Sequence, residues 1–393
     1  MRWIEIRGSA VLAISLFVFP CLLPGSVMSF GTPIGCSTQM DFQGFEACQI
    51  EQSAKKYMPK PCSEPKSLLA KGNIRRSGSW VAPDRPDGDG GDDQGCRQTK
   101  LSPATVVLRA AWGREPGQLG RSIFEEANPE APMSFAVSEN GSIYILDQLN
   151  QRVQVFDATG VQTATIPISR SNFTDIDLGL SGQVVLLDQW REQAVIFIDT
   201  TGRQVGSVPL LDGDIPDAGG VSGHYSRGDG VWVGYEDKLV RVCDADGKAD
   251  PDRPAVSGRF SRDGKYLLQA HKLGDITASL TRKPVGTAEV ESFGVTFDIP
   301  ILYFTLIETD AGGKMYLGVN LLEEGGEPPC RGLEQCREEV VIFSSAGTEL
   351  RRLIVPVSTH YEEVTRSLRV AADGTVYQLV IGESGATVRR YDP

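Results

Sequence analysis

A chain of 393 residues with 40% hydrophobic content and 43 glycines has enough apolar side chain for one or two buried cores, and it is neither collagen-like nor wholly disordered. Its formal charge of −12 and sequence pI near 4.9 argue against the clustered basic face that phosphate neutralisation needs, so no nucleic-acid partner is expected.

The longest apolar run, AVLAISLFVFPCLLPG from Ala10 to Gly25, follows Arg2 and Arg7 and is broken by Pro20. Basic, then apolar, then small residues is the order of a secretory signal, so residues 1–29 are expected to form one, with cleavage near Ser29. A retained N-terminal anchor is the alternative. No other run is apolar and long enough to cross a bilayer, so no span is expected after signal removal. The mature protein is then expected outside the cytoplasm: periplasmic, cell-surface or extracellular.

Residues 30–103 form a second zone. Cys36, Cys48, Cys62 and Cys96 fall in it, and the sequence leaves their three possible pairings open. The stretch VAPDRPDGDGGDDQGC cannot bury apolar surface and is expected to be an acidic linker. Its Asp87, Asp89, Asp92 and Asp93 invite a calcium reading, but no Glu stands where a loop of the EF-hand type needs its bidentate ligand.

From Ala104 to Pro393 the pattern changes to short alternating β-formers punctuated by Gly, Asp and Asn, with no helical periodicity. The phrase VQVFDATG (Val153 to Gly160) returns as VIFIDTTG, VRVCDADG and VVIFSSAG, and truncated as VRRYDP at the C-terminus. Each copy follows another strand opened by a glycine turn, at Gly141, Gly182, Gly230, Gly264, Gly313 and Gly374, mostly 34 to 49 residues apart. Six units of this length predict a six-bladed β-propeller of four-stranded antiparallel blades. The last unit lacks a fourth strand, and ATVVLRAAWG (Ala104 to Gly113) has no other partner, so this N-terminal strand is expected to complete the sixth blade and close the ring.

Three further features bear on chemistry. In EEGGEPPCRGLEQCREE, Cys330 and Cys336 stand six apart in a Gly/Pro-rich insertion and are expected to form a small disulfide loop. Phe156, Ile198, Cys243, Phe343 and Tyr391 share one repeat position that should face the core, which makes Cys243 a buried hydrophobe without a partner. The dipeptides in GHYSR (His224, Tyr225, Arg227) and THYEE (His360, Tyr361) sit near first strands, which line a propeller's channel, so all five residues are candidates to face a ligand. His224 and His360 are also the candidate ligands of a zinc site, although their units lie on opposite sides of the ring.

WGREPGQLG followed by MSFAVSENGSIYILDQLNQRVQVFDATG resembles an NHL repeat, in which a Gly-rich lead-in is coupled to an Asp-x-x-Asn-x-Arg turn; Asp147, Asn150 and Arg152 match that turn. Unit two keeps Asp188 but has DQWREQ in place of the full motif, and unit four matches barely at all. The three turn residues are expected to be architectural, through hydrogen bonds within the turn and to neighbouring carbonyls. The resemblance implies a non-enzymatic module that binds a protein or small molecule, needing no cofactor, with the partner unknown. It also implies an alternative on the same frame, a metal-dependent hydrolase or lyase using calcium or zinc; a third expectation is a structural component of the cell envelope tethered by the N-terminal extension.

Overall fold

The computed structural model describes residues 100–123, 129–179, 182–323, 336–358 and 364–393. The expected signal segment, the cysteines from Cys36 to Cys96, Cys330, His360 and Tyr361 lie outside them. Among the described residues twenty-four strands form six four-stranded antiparallel sheets, and the fold is a six-bladed β-propeller.

The first strand, β1 (Thr105–Ala111), pairs with none of its neighbours in sequence. Blade 1 is β2 (Phe135–Val137), β3 (Ile143–Asp147), β4 (Arg152–Phe156) and β5 (Gln162–Pro167). Blade 2 is β6 (Asp175–Leu178), β7 (Val184–Asp188), β8 (Ala194–Ile198) and β9 (Gln204–Pro209). Blade 3 is β10 (Val221–Arg227), β11 (Gly230–Tyr235), β12 (Lys238–Cys243) and β13 (Ala255–Ser257). Blade 4 is β14 (Arg259–Phe260), β15 (Tyr266–Lys272), β16 (Thr277–Pro284) and β17 (Glu291–Thr296). Blade 5 is β18 (Ile301–Thr309), β19 (Met315–Leu322), β20 (Cys336–Phe343) and β21 (Glu349–Val355). Blade 6 is β22 (Leu368–Val370), β23 (Val376–Ile381) and β24 (Gly385–Tyr391), with β1 as its fourth strand. The register runs from Thr105 opposite Arg390 to Ala111 opposite Gly385, so the two ends of the repeat region share one sheet, as the truncated last unit required.

The repeat phrases make the hairpins. In VQVFDATG, the Asp157 carboxylate accepts from the Thr159 and Val161 amides, and Gly160 takes the left-handed conformation (φ 85°) that closes the turn. A Cβ at Gly160 would meet the Val107 carbonyl oxygen at 1.8 Å, so blade 1 presses its outer turn directly onto the closing strand.

Strand alternation is weaker than the sequence pattern suggests. Middle strands such as β7 and β8 are buried at every position because each blade is covered on both faces, whereas outer strands such as β5 and β9 are mostly exposed. Aliphatic clusters fill the seams between blades 6 and 1, 1 and 2, 2 and 3, 4 and 5, and 5 and 6. At the seam between blades 3 and 4, Trp232 meets Phe260 edge-to-face, with ring centroids 4.9 Å apart, and the Arg227 guanidinium lies 3.9 Å from the Phe260 ring. Phe156, Ile198, Cys243, Phe343 and Tyr391 are all buried, and Cys243 carries a free thiol whose pKa is pushed up by burial.

Candidate functional site

The innermost strands carry charged and polar side chains where the rest of the blade is aliphatic. On β6, Asp175 is wholly buried. Its Oδ1 accepts from the Ser134 hydroxyl (2.6 Å) and the Ile176 amide (3.0 Å), and its Oδ2 from the His224 amide (3.0 Å) and Arg366 Nη2 (2.7 Å). Arg366 Nη2 also donates to the His224 carbonyl. Arg369 on β22 donates to the carbonyls of Phe135 (2.9 Å) and Ile176 (2.7 Å). One carboxylate and two arginines thus join blades 1, 2, 3 and 6. Burial would raise the Asp175 carboxyl, but Arg366, His224 and Arg369 outweigh it and hold the pKa far below the usual carboxylate range. Burial would lower the Arg366 pKa, and Asp175 more than reverses that. Gly223, at a register shift in β10 with φ 144°, makes the approach possible: a Cβ there would stand 2.8 Å from Arg366 Nη2.

Beside this hub lies a cavity of about 470 Å³. Its walls come from β10, β14, most of β18, single residues of β19 and β20, two of β23, and the segments flanking residues 359–363. In the wall, the Tyr225 ring is stacked by two guanidinium groups, those of Arg259 at 4.2 Å and Arg366 at 4.3 Å from its centroid. Elsewhere in the wall stand Asn320, Thr305, Gln378 and Glu338. The Gln378 amide donates to Glu338 Oε2 (3.2 Å) and to the Pro356 carbonyl (2.6 Å). Burial pushes the Glu338 carboxyl up to about 7, against the opposing pull of Thr305 and Gln378, so this group changes protonation near neutrality. Five buried polar atoms of the wall have no hydrogen-bond partner: Arg366 Nη1, Arg259 Nη1, Asn320 Oδ1, Thr305 Oγ1 and Glu338 Oε1. Arg366 is 8% exposed and Asn320 7%. Unmet hydrogen-bonding capacity of this kind costs roughly 1–3 kcal/mol per group unless water or a ligand supplies the partner.

The residues singled out in the sequence go to different places. Tyr225 lines the cavity. His224, its neighbour, points the other way: the ring is wholly buried, Nε2 meets the Val185 carbonyl at 3.2 Å and Nδ1 lies 3.1 Å from Asp175 Oδ2. Both ring nitrogens point into the hub, and strand alternation places Tyr225 and His224 on opposite sides. Arg227 lies at the seam with blade 4, on Phe260, with bonds to Asp229 Oδ1 (3.2 Å) and the Ser261 carbonyl (3.3 Å). His360 and Tyr361 fall outside the described residues, as does Cys330; Cys336 is buried at the start of β20. Among the described residues no group of three or more His, Cys, Asp or Glu side chains is placed to hold a metal ion.

Asp147, Asn150 and Arg152 form a second network, away from the cavity. Asp147 Oδ1 accepts from the Gly120 amide (2.7 Å), and Oδ2 from Asn150 Nδ2 (3.0 Å), Arg152 Nε (2.7 Å) and Gln154 Nε2 (3.1 Å). Asn150 and Arg152 then donate to the carbonyls of Gly113, Arg114, Glu115 and Gln118. The turn therefore fastens the WGREPGQLG lead-in to blade 1.

Arg259, Arg366, Asn320 and Glu338 were not singled out in the sequence. The available signal was charge in the wrong place: in CREEVVIF, Glu338 interrupts a strand that is otherwise expected to be buried.

No family model and no curated protein matches the chain. Solved structures similar to it include virginiamycin B lyase from Staphylococcus aureus, at 11% identity over 66% of this chain and 94% of that one, with a TM-score of 0.36. A member of the duf4221 family from Bacteroides vulgatus is 9% identical over 73% of this chain and 97% of that one, with a TM-score of 0.43. Regucalcin, a calcium-binding protein from Agrobacterium tumefaciens, is 14% identical over 73% and 95%, with a TM-score of 0.40. Scores at this level transfer no chemistry, and the propeller rests on the strand pairing alone.

Proposed function

We propose that this propeller is an exported, NHL-like, non-enzymatic binding module that takes a small polar molecule into the cavity between Tyr225 and Glu338. The observation that carries the reading is the set of buried, unpartnered polar atoms on Arg259, Arg366 and Asn320 around one cavity of about 470 Å³. That volume falls in the range of about 300–1,000 Å³ usual for small-molecule sites, and a few convergent polar groups in a pre-formed wall are their usual equipment. Export is supported by the signal-like N-terminus and the cysteine-bearing zone after it.

A thermal-shift screen of small polar metabolites tests this, with Ser222→Phe as a variant that occupies the cavity. A ligand present at a hundred times its Kd should stabilise the native protein by about 2.7 kcal/mol, and the shift should vanish in the variant. If every shift survives Ser222→Phe, binding is elsewhere and the reading falls. Elemental analysis showing one equivalent of zinc or calcium would replace it with the metal-dependent alternative.

A further inference from the structure

We infer that the ligand is a small monocarboxylate carrying hydroxyl or N–H groups, with its carboxylate on Arg259 and Arg366 and its donors towards Asn320 and Glu338. This rests on the cavity being the binding site.

The unmet arginine donors of the wall point to an anionic acceptor. Arg366 spends Nη2 on Asp175 and the His224 carbonyl, leaving Nη1 buried and free. Arg259 makes no ion pair among the described residues; its guanidinium lies over Tyr225, and its Nη1 is also buried without a partner. The two guanidinium groups over this one ring thus each keep a buried N–H that calls for an acceptor. A planar carboxylate accepting from both is the complement, since arginine N–H groups match its two oxygens.

The same wall disfavours a dianion. Glu308 lines the cavity, its Oε2 accepting from the Val370 amide at 2.9 Å, and Glu338 adds a second carboxyl. A phosphomonoester with a charge near −2 would meet these two carboxyl groups.

The rest of the wall specifies what the ligand must donate. Asn320 Oδ1 accepts only and has no donor. Glu338 already takes one hydrogen bond from Gln378 and offers the ligand a carboxyl able to give or accept. A ligand with hydroxyl or N–H groups beyond its carboxylate satisfies these atoms, and a plain alkanoate leaves them unmet.

Isothermal titration with matched pairs of probes tests the inference: gluconate against gluconamide, and 4-hydroxyphenylacetate against 4-hydroxyphenylacetamide, with glycerol 3-phosphate as the dianion. At least one acid should bind ten-fold or more tightly than its amide and than the phosphate, and its affinity should fall with added salt. Arg259→Gln should remove that preference with an unchanged melting temperature, and Arg259→Lys should restore part of it. Asn320→Leu should weaken 4-hydroxyphenylacetate more than phenylacetate. Acids and amides binding equally well through the cavity would overturn the ligand class while leaving the ligand-binding reading in place. Acid binding untouched by Arg259→Gln overturns the assignment of the carboxylate. Silence from every probe, together with an empty metabolite screen, removes both.

Discussion

Arg366 and Asp175 stand 191 positions apart in the chain, yet Arg366 Nη2 lies 2.7 Å from Asp175 Oδ2 with both groups buried. Breaking one side of such a pair leaves an uncompensated charge where water cannot reach it. Asp175→Asn should therefore lower stability by about 3–5 kcal/mol. The pH dependence follows from the lowered pKa: the carboxylate's contribution is complete above its ordinary value of 3.8 and is lost on further acidification towards the folded-state pKa. Urea unfolding of both forms at pH 7 and pH 3 measures this. An Asp175→Asn protein as stable as the parent at pH 7 would remove the hub from any account of the ring.

Glu338 has the opposite sign. Its folded pKa of about 7 exceeds its ordinary 4.5, so the native state holds a proton that the unfolded chain has released between those values. Stability is undiminished below about pH 4.5, falls as pH rises towards 7, and levels off above it. A displacement of this size corresponds to about 3 kcal/mol. Glu338→Gln should flatten this slope, matching the parent at pH 4.5 and exceeding it at pH 8. Parallel stability curves across that interval would show that Glu338 is not the titrating group.

The Asp147 network makes a third test, distinct from the cavity. Asp147→Ala removes the acceptor of four donors and leaves Arg152 without its buried anion. A loss of roughly 2–4 kcal/mol is expected, with faster amide exchange at Gly120 and no change in ligand affinity. Lost affinity with an intact fold would make this turn part of the site.

Two glycines separate backbone strain from ring closure. Gly182 (φ 75°) has open space where a Cβ would go, whereas Gly160 (φ 85°) faces the Val107 carbonyl. Gly182→Ala should cost only the left-handed conformation, about 1–2 kcal/mol. Gly160→Ala should cost more and should quicken amide exchange along β1. Equal melting temperatures for the two variants would deny the contact between blade 1 and the closing strand any energetic weight.

The architecture was legible in the sequence because its determinants are local. An Asp-x-x-Gly turn between alternating apolar runs is complete within eight residues, and its recurrence gives the blade count. The closing strand was legible by subtraction: one strand too many before the first unit and one too few after the last. The cavity was not legible, because its wall is assembled from four blades. Asn320 and Glu338 pair across two strands of blade 5, but Arg259 and Arg366 join them only when blades 4, 5 and 6 have stacked, and no spacing between the four carries a motif. The GHYSR segment shows the limit within a single strand. It contains Tyr225, which lines the cavity, and His224, which is the more familiar functional residue but occupies the other face.

The pairing of β1 with β24 also sets an order of events in time. Five blades are built from consecutive strands and can form from near neighbours, but the sixth needs segments from opposite ends of the repeat region. Once the other blades have stacked, those segments are already close, and a costly long-range search becomes a short final step. The strand that docks last has the lowest barrier to leaving. Brief native-state openings should therefore begin at β1, and a cut just before Thr105 would loosen the ring at its latch while the other five blades hold.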